Sequence, residues 1–252
     1  MFGTSIEIQL TPQRVSLKRR RYGLRSRFEE VQAIAVAPVC DDRQPSWHSA
    51  VAACAELQAG QQAKDLQFVF SDIWVRYDLI QVGVNELSDA EMISLAQAHF
   101  THLYPDIASW PLRLARQGKQ LLIAATDPAF LGALEESANM SGKQMSRAEP
   151  LFSRVFDLYA AELSDFDGWM LLDESGVLVA AYVEKGKLLS FRSQLCESRR
   201  EEAAHLLLKR QEALLERTAT KEVWIFSCTD HPLSLGEPWR SSRITTIYDL
   251  QA

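Results

Sequence analysis

The chain has 252 residues, 47% of them hydrophobic and 24% charged, with a formal net charge of −6. That balance excludes a disordered or fibrous chain, and the acidity argues against a surface built generally for nucleic acid. No apolar run approaches the roughly 20 residues a bilayer span needs, and Met1–Leu10 has neither a basic region nor a long apolar core, so a cytoplasmic chain without an export signal is expected.

In chain order, Ser5–Leu10 alternates Ile6, Ile8 and Leu10 with Glu7 and Gln9, the period of a strand with one buried face. A Thr11-Pro12-Gln13-Arg14 turn leads to a strand over Val15–Arg21, a Tyr22-Gly23 turn and an extended return through Leu24–Phe28. Val31–Val39 reads as a further β-branched run, Trp47–Leu57 as a helix capped by Ser46, and Leu66–Phe70 as a strand. Leu66–Phe70 and Ile73–Val82 are expected to form a hairpin turning at Ser71-Asp72. Ser88 and Glu91 make a capping box for a helix over Asp89–Leu103, on which His99 and His102 read as packing or surface residues. Gln120–Ala125 is a buried strand, and Thr126 or Asp127 caps a helix that runs to Asn139 or Met140. Gln144–Glu149 is a short connection to a helix over Leu151–Leu163.

Gly168–Ser193 holds three strands and two tight turns, Asp173-Glu174-Ser175-Gly176 and Glu184-Lys185-Gly186-Lys187, with glycine where a positive φ is needed. Trp169–Leu172 and Val177–Val183 are apolar nearly throughout, so they belong at the centre of a sheet, buried on both faces. A helix over Glu197–Arg217 and a strand over Glu222–Ser227 complete a β-β-β-α-β unit that repeats the order of the N-terminus.

Chemical motifs are scarce. The four cysteines (Cys40, Cys54, Cys196, Cys228) have no metal or redox spacing, and neither a P-loop nor a Gly-x-Ser-x-Gly elbow occurs. Lys18–Arg27 holds six cations in ten residues. It reads either as a solvated hairpin edge or as a contact with an anionic membrane surface through Arg19, Arg20, Arg21 and Arg25. With Tyr22 as its one aromatic, the stretch is poorly suited to nucleic acid. Trp74, Arg76, Tyr77 and Phe100 form an aromatic and basic set suited to holding an extended peptide.

Gln120–Tyr159, with its strand ending in small residues, its helix, its glycine and its acidic-proline pair Glu149-Pro150, resembles the mid-section of the PilM-type actin-like proteins of type IV pilus assembly and of the cytoplasmic domain of GspL-type type II secretion proteins. Phe68–Leu103 resembles the same family, and Asp173 and Gly176 match its second phosphate loop. The resemblance implies an α/β chain of two actin-like (RNase H-like) β-β-β-α-β halves with a cleft between them, domain I over 1–163 with an inserted hairpin and helix, and domain II over 164–252. It also implies a cytoplasmic scaffold, peripheral at the inner membrane of a bacterium, that binds the N-terminal cytoplasmic tail of a single-span assembly protein. The first loop, Gln9–Arg14, lacks the family's Asp and Gly, and the third, Ile225–Asp230, lacks its Gly-Gly. Without those residues few amides can approach a phosphate, so the expectation is a degenerate cleft with no cofactor, no metal and no catalytic residue. The alternative is an ATP-binding or ATP-hydrolysing protein using Mg and ATP at Asp173 and Gly176. Glu7, Asp173 and Asp230 fall near strand ends as in an RNase H-like nuclease, a coincidence the shared fold already explains.

Overall fold

A computed structural model describes residues 5–21, 27–37, 46–83, 87–196, 198–215, 219–229 and 233–246. β1 (Ser5–Leu10), β2 (Arg14–Arg21) and β3 (Arg27–Ala35) form an antiparallel meander; α1 (His48–Gln58) crosses over, and β4 (Asp65–Phe70) returns parallel to β1. An excursion follows through β5 (Val75–Gln81), α2 (Asp89–Leu103), β6 (Leu112–Gln117) and β7 (Gln120–Thr126). Then α3 (Pro128–Met140) leads to β8 (Gln144–Pro150), which joins β4 in parallel. After α4 (Leu151–Leu158) and α5 (Ala160–Leu163), the second meander is β9 (Asp167–Glu174), β10 (Gly176–Glu184) and β11 (Lys187–Cys196). It is followed by α6 (Arg200–Leu214), β12 (Glu222–Ser227) and β13 (Arg240–Thr246).

The two five-stranded sheets share one plan. Their orders are β3-β2-β1-β4-β8 and β11-β10-β9-β12-β13, each an antiparallel meander continued by two parallel strands. The fold is therefore α/β with two related halves. The excursion forms its own three-stranded sheet, β5-β7-β6, covered by α2 through Ala96 and Phe100.

Burial explains the strand sequences. Every described residue of β9 and β10 between Gly168 and Val183, apart from Ser175 and Gly176 at the turn, is buried, as their unbroken apolar runs require. Gly176 has φ 93° and Gly186 φ 74°, so both hairpin turns use glycine as the spacing predicts. Gly168 is needed for another reason: a Cβ there would stand 2.6 Å from a Phe166 ring carbon and 2.8 Å from the Glu222 carbonyl oxygen. One apolar face of the second sheet packs on α6 through Leu171, Tyr182, Leu207 and Leu208. The other merges through Leu172, Val179 and Phe191 with α4 and the first sheet in a single core.

Several expectations change. β1 has no solvent face, because Glu7 and Gln9 are 5% and 3% exposed. Its alternation separates an apolar layer from a polar seam that α4 covers. β4 and β5 do not make a hairpin; a short 3-10 turn over Asp72–Trp74 sends the chain into another sheet, because both edges of β4 are taken by β1 and β8. Gln144–Glu149 is a strand, β8, whose polar sequence reflects its place at a sheet edge. Arg27–Phe28 and Val31–Ala35 belong to one strand, β3, while 24–26 and 38–39 of the expected segments lie outside the described residues. The helix expected over Leu151–Leu163 is broken at Tyr159, where φ is −102° and ψ 12°.

Candidate functional site

The halves meet where the Ser71–Trp74 turn after β4, the β9–β10 turn and the end of β12 converge, with the Ser71 N–H donating to the Leu10 carbonyl at the end of β1 at 2.9 Å. In an actin-like cleft, the β1–β2 turn, the β9–β10 turn and the end of β12 supply amide donors to phosphates. Here several donors of the first and third loops are bonded within the chain. The Thr11 N–H donates to the Arg14 carbonyl at 2.8 Å, and the Arg14 N–H donates to the Thr11 hydroxyl at 3.0 Å. Pro12 has no N–H at all. The Thr11 hydroxyl in turn donates to the Arg14 carbonyl at 2.9 Å, closing the turn on itself. After β12, the Cys228 N–H donates to the Asp173 carbonyl at 2.8 Å and the Thr229 N–H to the Ser227 hydroxyl at 3.2 Å.

Asp173 is fully buried, and its carboxylate is occupied. Arg200, at the start of α6, places Nη1 2.9 and 2.8 Å from its two oxygens and 3.0 Å from the Thr229 hydroxyl, while the Ser227 hydroxyl donates to Oδ2 at 3.0 Å. Burial pushes the Asp173 carboxyl up, and the Arg200 charge leads the interactions that oppose it. The next residue, Glu174, is also buried and reaches the other way, into the first half. Its Oε1 accepts the Asp72 N–H at 3.1 Å. Asp72 accepts the Tyr77 hydroxyl at 2.5 Å and the Phe152 N–H, in the first turn of α4, at 2.8 Å. Burial raises Asp72 to about 6, and Glu174 rises well above the usual range from burial and then from the Asp72 charge. Burial and the neighbouring charge thus both favour the protonated forms of this pair.

A second set of charges lines the polar seam. Arg154 of α4 pairs with Glu7 at 2.9 Å, and Arg147 pairs with Glu149 at 2.5 Å and with Asp157 at 3.1 Å. Nearby, β6 and β7 face β8 and α4 across a groove of about 460 Å³. Phe70, Met145, Ala148 and Pro150 line it, with Arg113 and Arg147 among its polar residues.

The structure distributes the sequence-derived residues unevenly. Asp173 and Gly176 lie together at the seam. Trp74 is packed on Phe130 with ring centroids 5.1 Å apart, Tyr77 stacks on Phe191 at 4.8 Å, and Phe100 stacks on Tyr104 at 4.8 Å. All three rings of Trp74, Tyr77 and Phe100 are in the core, so they do not form an open peptide groove. Their apolar area is satisfied inside, and only Arg76 of that set is exposed. Lys18 is 4% exposed, and Arg19 donates to Gln61 Oε1 at 3.1 Å, so the start of the basic stretch is integrated into the fold rather than solvated. The side chains of Arg20 and Arg21, all of Arg25, and Asp230 lie outside the described residues. His99 pairs with Asp78, a packing contact between α2 and β5. The residues that sequence reasoning missed are Asp72, Glu174 and Arg200, whose partners lie in other elements.

No protein-family model matches the sequence, and no curated protein does. Solved structures do match. A Bacteroides thetaiotaomicron protein with an actin-like ATPase fold and unknown function aligns with a TM-score of 0.60 at 12% identity, over 89% of this chain and 81% of that one. The cytoplasmic domain of EpsL, an inner-membrane component of the type II secretion system of Vibrio cholerae, aligns with a TM-score of 0.62 at 10% identity, over 96% and 89%. A PilM–PilN type IV pilus biogenesis complex aligns with a TM-score of 0.61 at 14% identity, over 85% and 67%. With the repeated strand order, these likenesses identify the chain as a protein of the actin-like ATPase fold.

Proposed function

We propose that this chain is a non-catalytic scaffold of a type IV pilus or type II secretion assembly platform, working on the cytoplasmic side of a bacterial inner membrane. Its two halves are assigned to 1–163 and 164–252, and its nucleotide cleft no longer admits phosphates. The observation that carries the reading is the use of the cleft's donors and charge by the chain itself: Thr11 and Arg14 close the first loop, and Arg200 neutralises Asp173. The survival of Gly176 with a positive φ favours the second reading, an ATP-binding or ATP-hydrolysing protein using Mg. Calorimetric titration with MgATP separates the two. A dissociation constant tighter than about 10 μM, roughly 7 kcal/mol of binding, contradicts the scaffold reading.

The partner in this proposal is the N-terminal cytoplasmic tail of a single-span inner-membrane assembly protein. The groove between β6 and β8 supports it, because two strand edges flank an apolar floor and an extended peptide can pair with either. Arg113→Glu and a groove-filling Ser153→Trp are each expected to weaken binding of that tail at least tenfold, about 1.4 kcal/mol, in a fluorescence anisotropy titration. Unchanged affinity in both folded variants would move the tail elsewhere. Membrane contact is assigned to the basic hairpin, and its check is co-sedimentation with anionic vesicles after Arg19, Arg20 and Arg21 are reversed to Glu.

A further inference from the structure

The second sheet ends at β11 and the three-stranded sheet ends at β5, and neither edge is paired with a further strand among the described residues. The two edges face each other above α6, across a groove of about 1100 Å³. Along β11 the groove continues into a hollow of about 270 Å³, which shares Arg192, Ser193, Gln194 and Leu195 with it and reaches Arg76. At one end the β11 edge is already closed: Gln117 Oε1 accepts the Leu188 N–H at 2.8 Å, and the ladder with β10 shifts register beside Leu189. Ser190 and Phe191 are buried, so the open stretch is Arg192–Leu195, about 13 Å of strand.

The chemistry of the two faces of that edge differs. Ser190 bonds to Gln211 of α6 at 2.8 Å, so with a period of two Arg192 also stands on the α6 face, where Arg210 lines the same groove. Leu195 stands on the opposite face and is 64% exposed, with Leu79 of β5 across the groove. Among the described residues no carboxylate pairs with Arg192 or Arg210; of the acids that line the groove and the hollow, Asp78 is bound to His99 and the buried Asp72 to Tyr77 and the Phe152 N–H. Arg76 marks the far end; its Nη1 donates to the Ile73 and Val75 carbonyls at 3.3 and 3.5 Å. An acidic protein thus places three exposed arginines around this trough, Arg192 on β11, Arg210 on α6 and Arg76 on β5.

We propose that this trough holds an extended acidic segment of a partner protein, added as a strand to the free edge of β11. Alternate carboxylates of the segment meet Arg192 and Arg210 on the α6 face, and the apolar residues between them cover Leu79 and Leu195. Backbone pairing supplies the hold, and the arginines choose an acidic sequence over a basic one. The site is separate from the groove between β6 and β8 and stands whether or not the scaffold reading does.

The probe is a labelled eight-residue peptide alternating glutamate with valine or leucine, titrated by anisotropy against the full chain. Three expected results support the proposal together. Arg192→Glu with Arg210→Glu weakens binding at least tenfold, N-methylation of alternate peptide amides abolishes it, and the amides of Arg192–Leu195 gain hydrogen-exchange protection on binding. Arg113→Glu, in the other groove, leaves the affinity unchanged. Both reversed arginines are at the surface, and an unaltered melting transition verifies the fold. The proposal is overturned if the lysine version of the peptide binds equally, or if N-methylation has no effect. It is also overturned if the chain sediments as a dimer that Leu195→Arg dissociates, since a second copy then fills the trough.

Discussion

The β1–β2 turn and the β9–β10 turn occupy equivalent places in two sheets of the same strand order, yet they are secured by opposite means. The first is held within its own half: Thr11 and Arg14 satisfy one another, the Gln13 carbonyl accepts the Val36 N–H at 2.8 Å, and the buried Thr11 brings no charge. The second is held from a distance. Asp173 is fixed by Arg200, 27 positions along the chain, and Glu174 by Asp72, 102 positions away in the other half. The lesson is that a turn can be stable alone or can serve as the joint between two bodies. This chain assigns one hairpin to each task.

Breaking the joint should cost most. Arg200→Ala leaves a buried carboxylate without its cation and is expected to destabilise by about 3–5 kcal/mol in denaturant unfolding. Adding Asp173→Asn should recover most of that loss, and no recovery would mean that Arg200 acts through packing instead. Next comes the buried carboxyl pair of Asp72 and Glu174. Burial raises both carboxyls above their unfolded values of 3.8 and 4.5, so the folded chain binds protons more tightly than the unfolded one. The pair's contribution to stability is then fully present below about pH 4 and is lost as pH rises through about 6 and beyond. Glu174→Gln should match the unchanged protein near pH 4 and become progressively more stable than it toward about pH 8. Parallel stability curves for the two would show that the pair carries no proton.

The two turns can also be compared directly. Gly176→Ala forces φ 93° on a residue with a Cβ placed 3.0 Å from the Ile73 methyl, and should cost about 1–3 kcal/mol. Thr11→Ala removes the hydroxyl that closes the first turn and should cost about 1 kcal/mol, a shift of roughly 2–4 °C in Tm. If Thr11→Ala proves the costlier change, the first turn also bears on the seam.

The parts of the fold that could be read from the chain are those whose signals are local. The apolar runs of β9 and β10 with Asp173–Gly176 between them, and the Ser88–Glu91 capping box, are each complete within a few residues. β8 escaped because an edge strand has little to bury; its Gln144, Ser146 and Arg147 look like a loop. The site was legible only as far as Asp173 and Gly176. Ser71-Asp72 looks like turn chemistry, and nothing nearby indicates that Asp72 receives the Phe152 N–H from 80 positions on. Likewise an aromatic strand looks the same whether Trp74 faces a peptide or Phe130. Only tertiary packing decides that.

The parallel pairing of β4 with β8 has a consequence in time rather than in energy. β4 ends at Phe70 and its partner begins at Gln144, so the first sheet stays incomplete on the ribosome until the whole excursion has been made. Closing so long a loop slows folding more than it weakens the product. Throughout that interval β4 presents an unpaired edge carrying Leu66, Phe68, Val69 and Phe70. The small sheet β5-β7-β6, with every partner inside the excursion, is able to form first. Nascent chains arrested before Gln144 are therefore expected to show protected β7 amides while β4 remains open, a sequence of events that pulse-labelled exchange on stalled ribosomes would resolve.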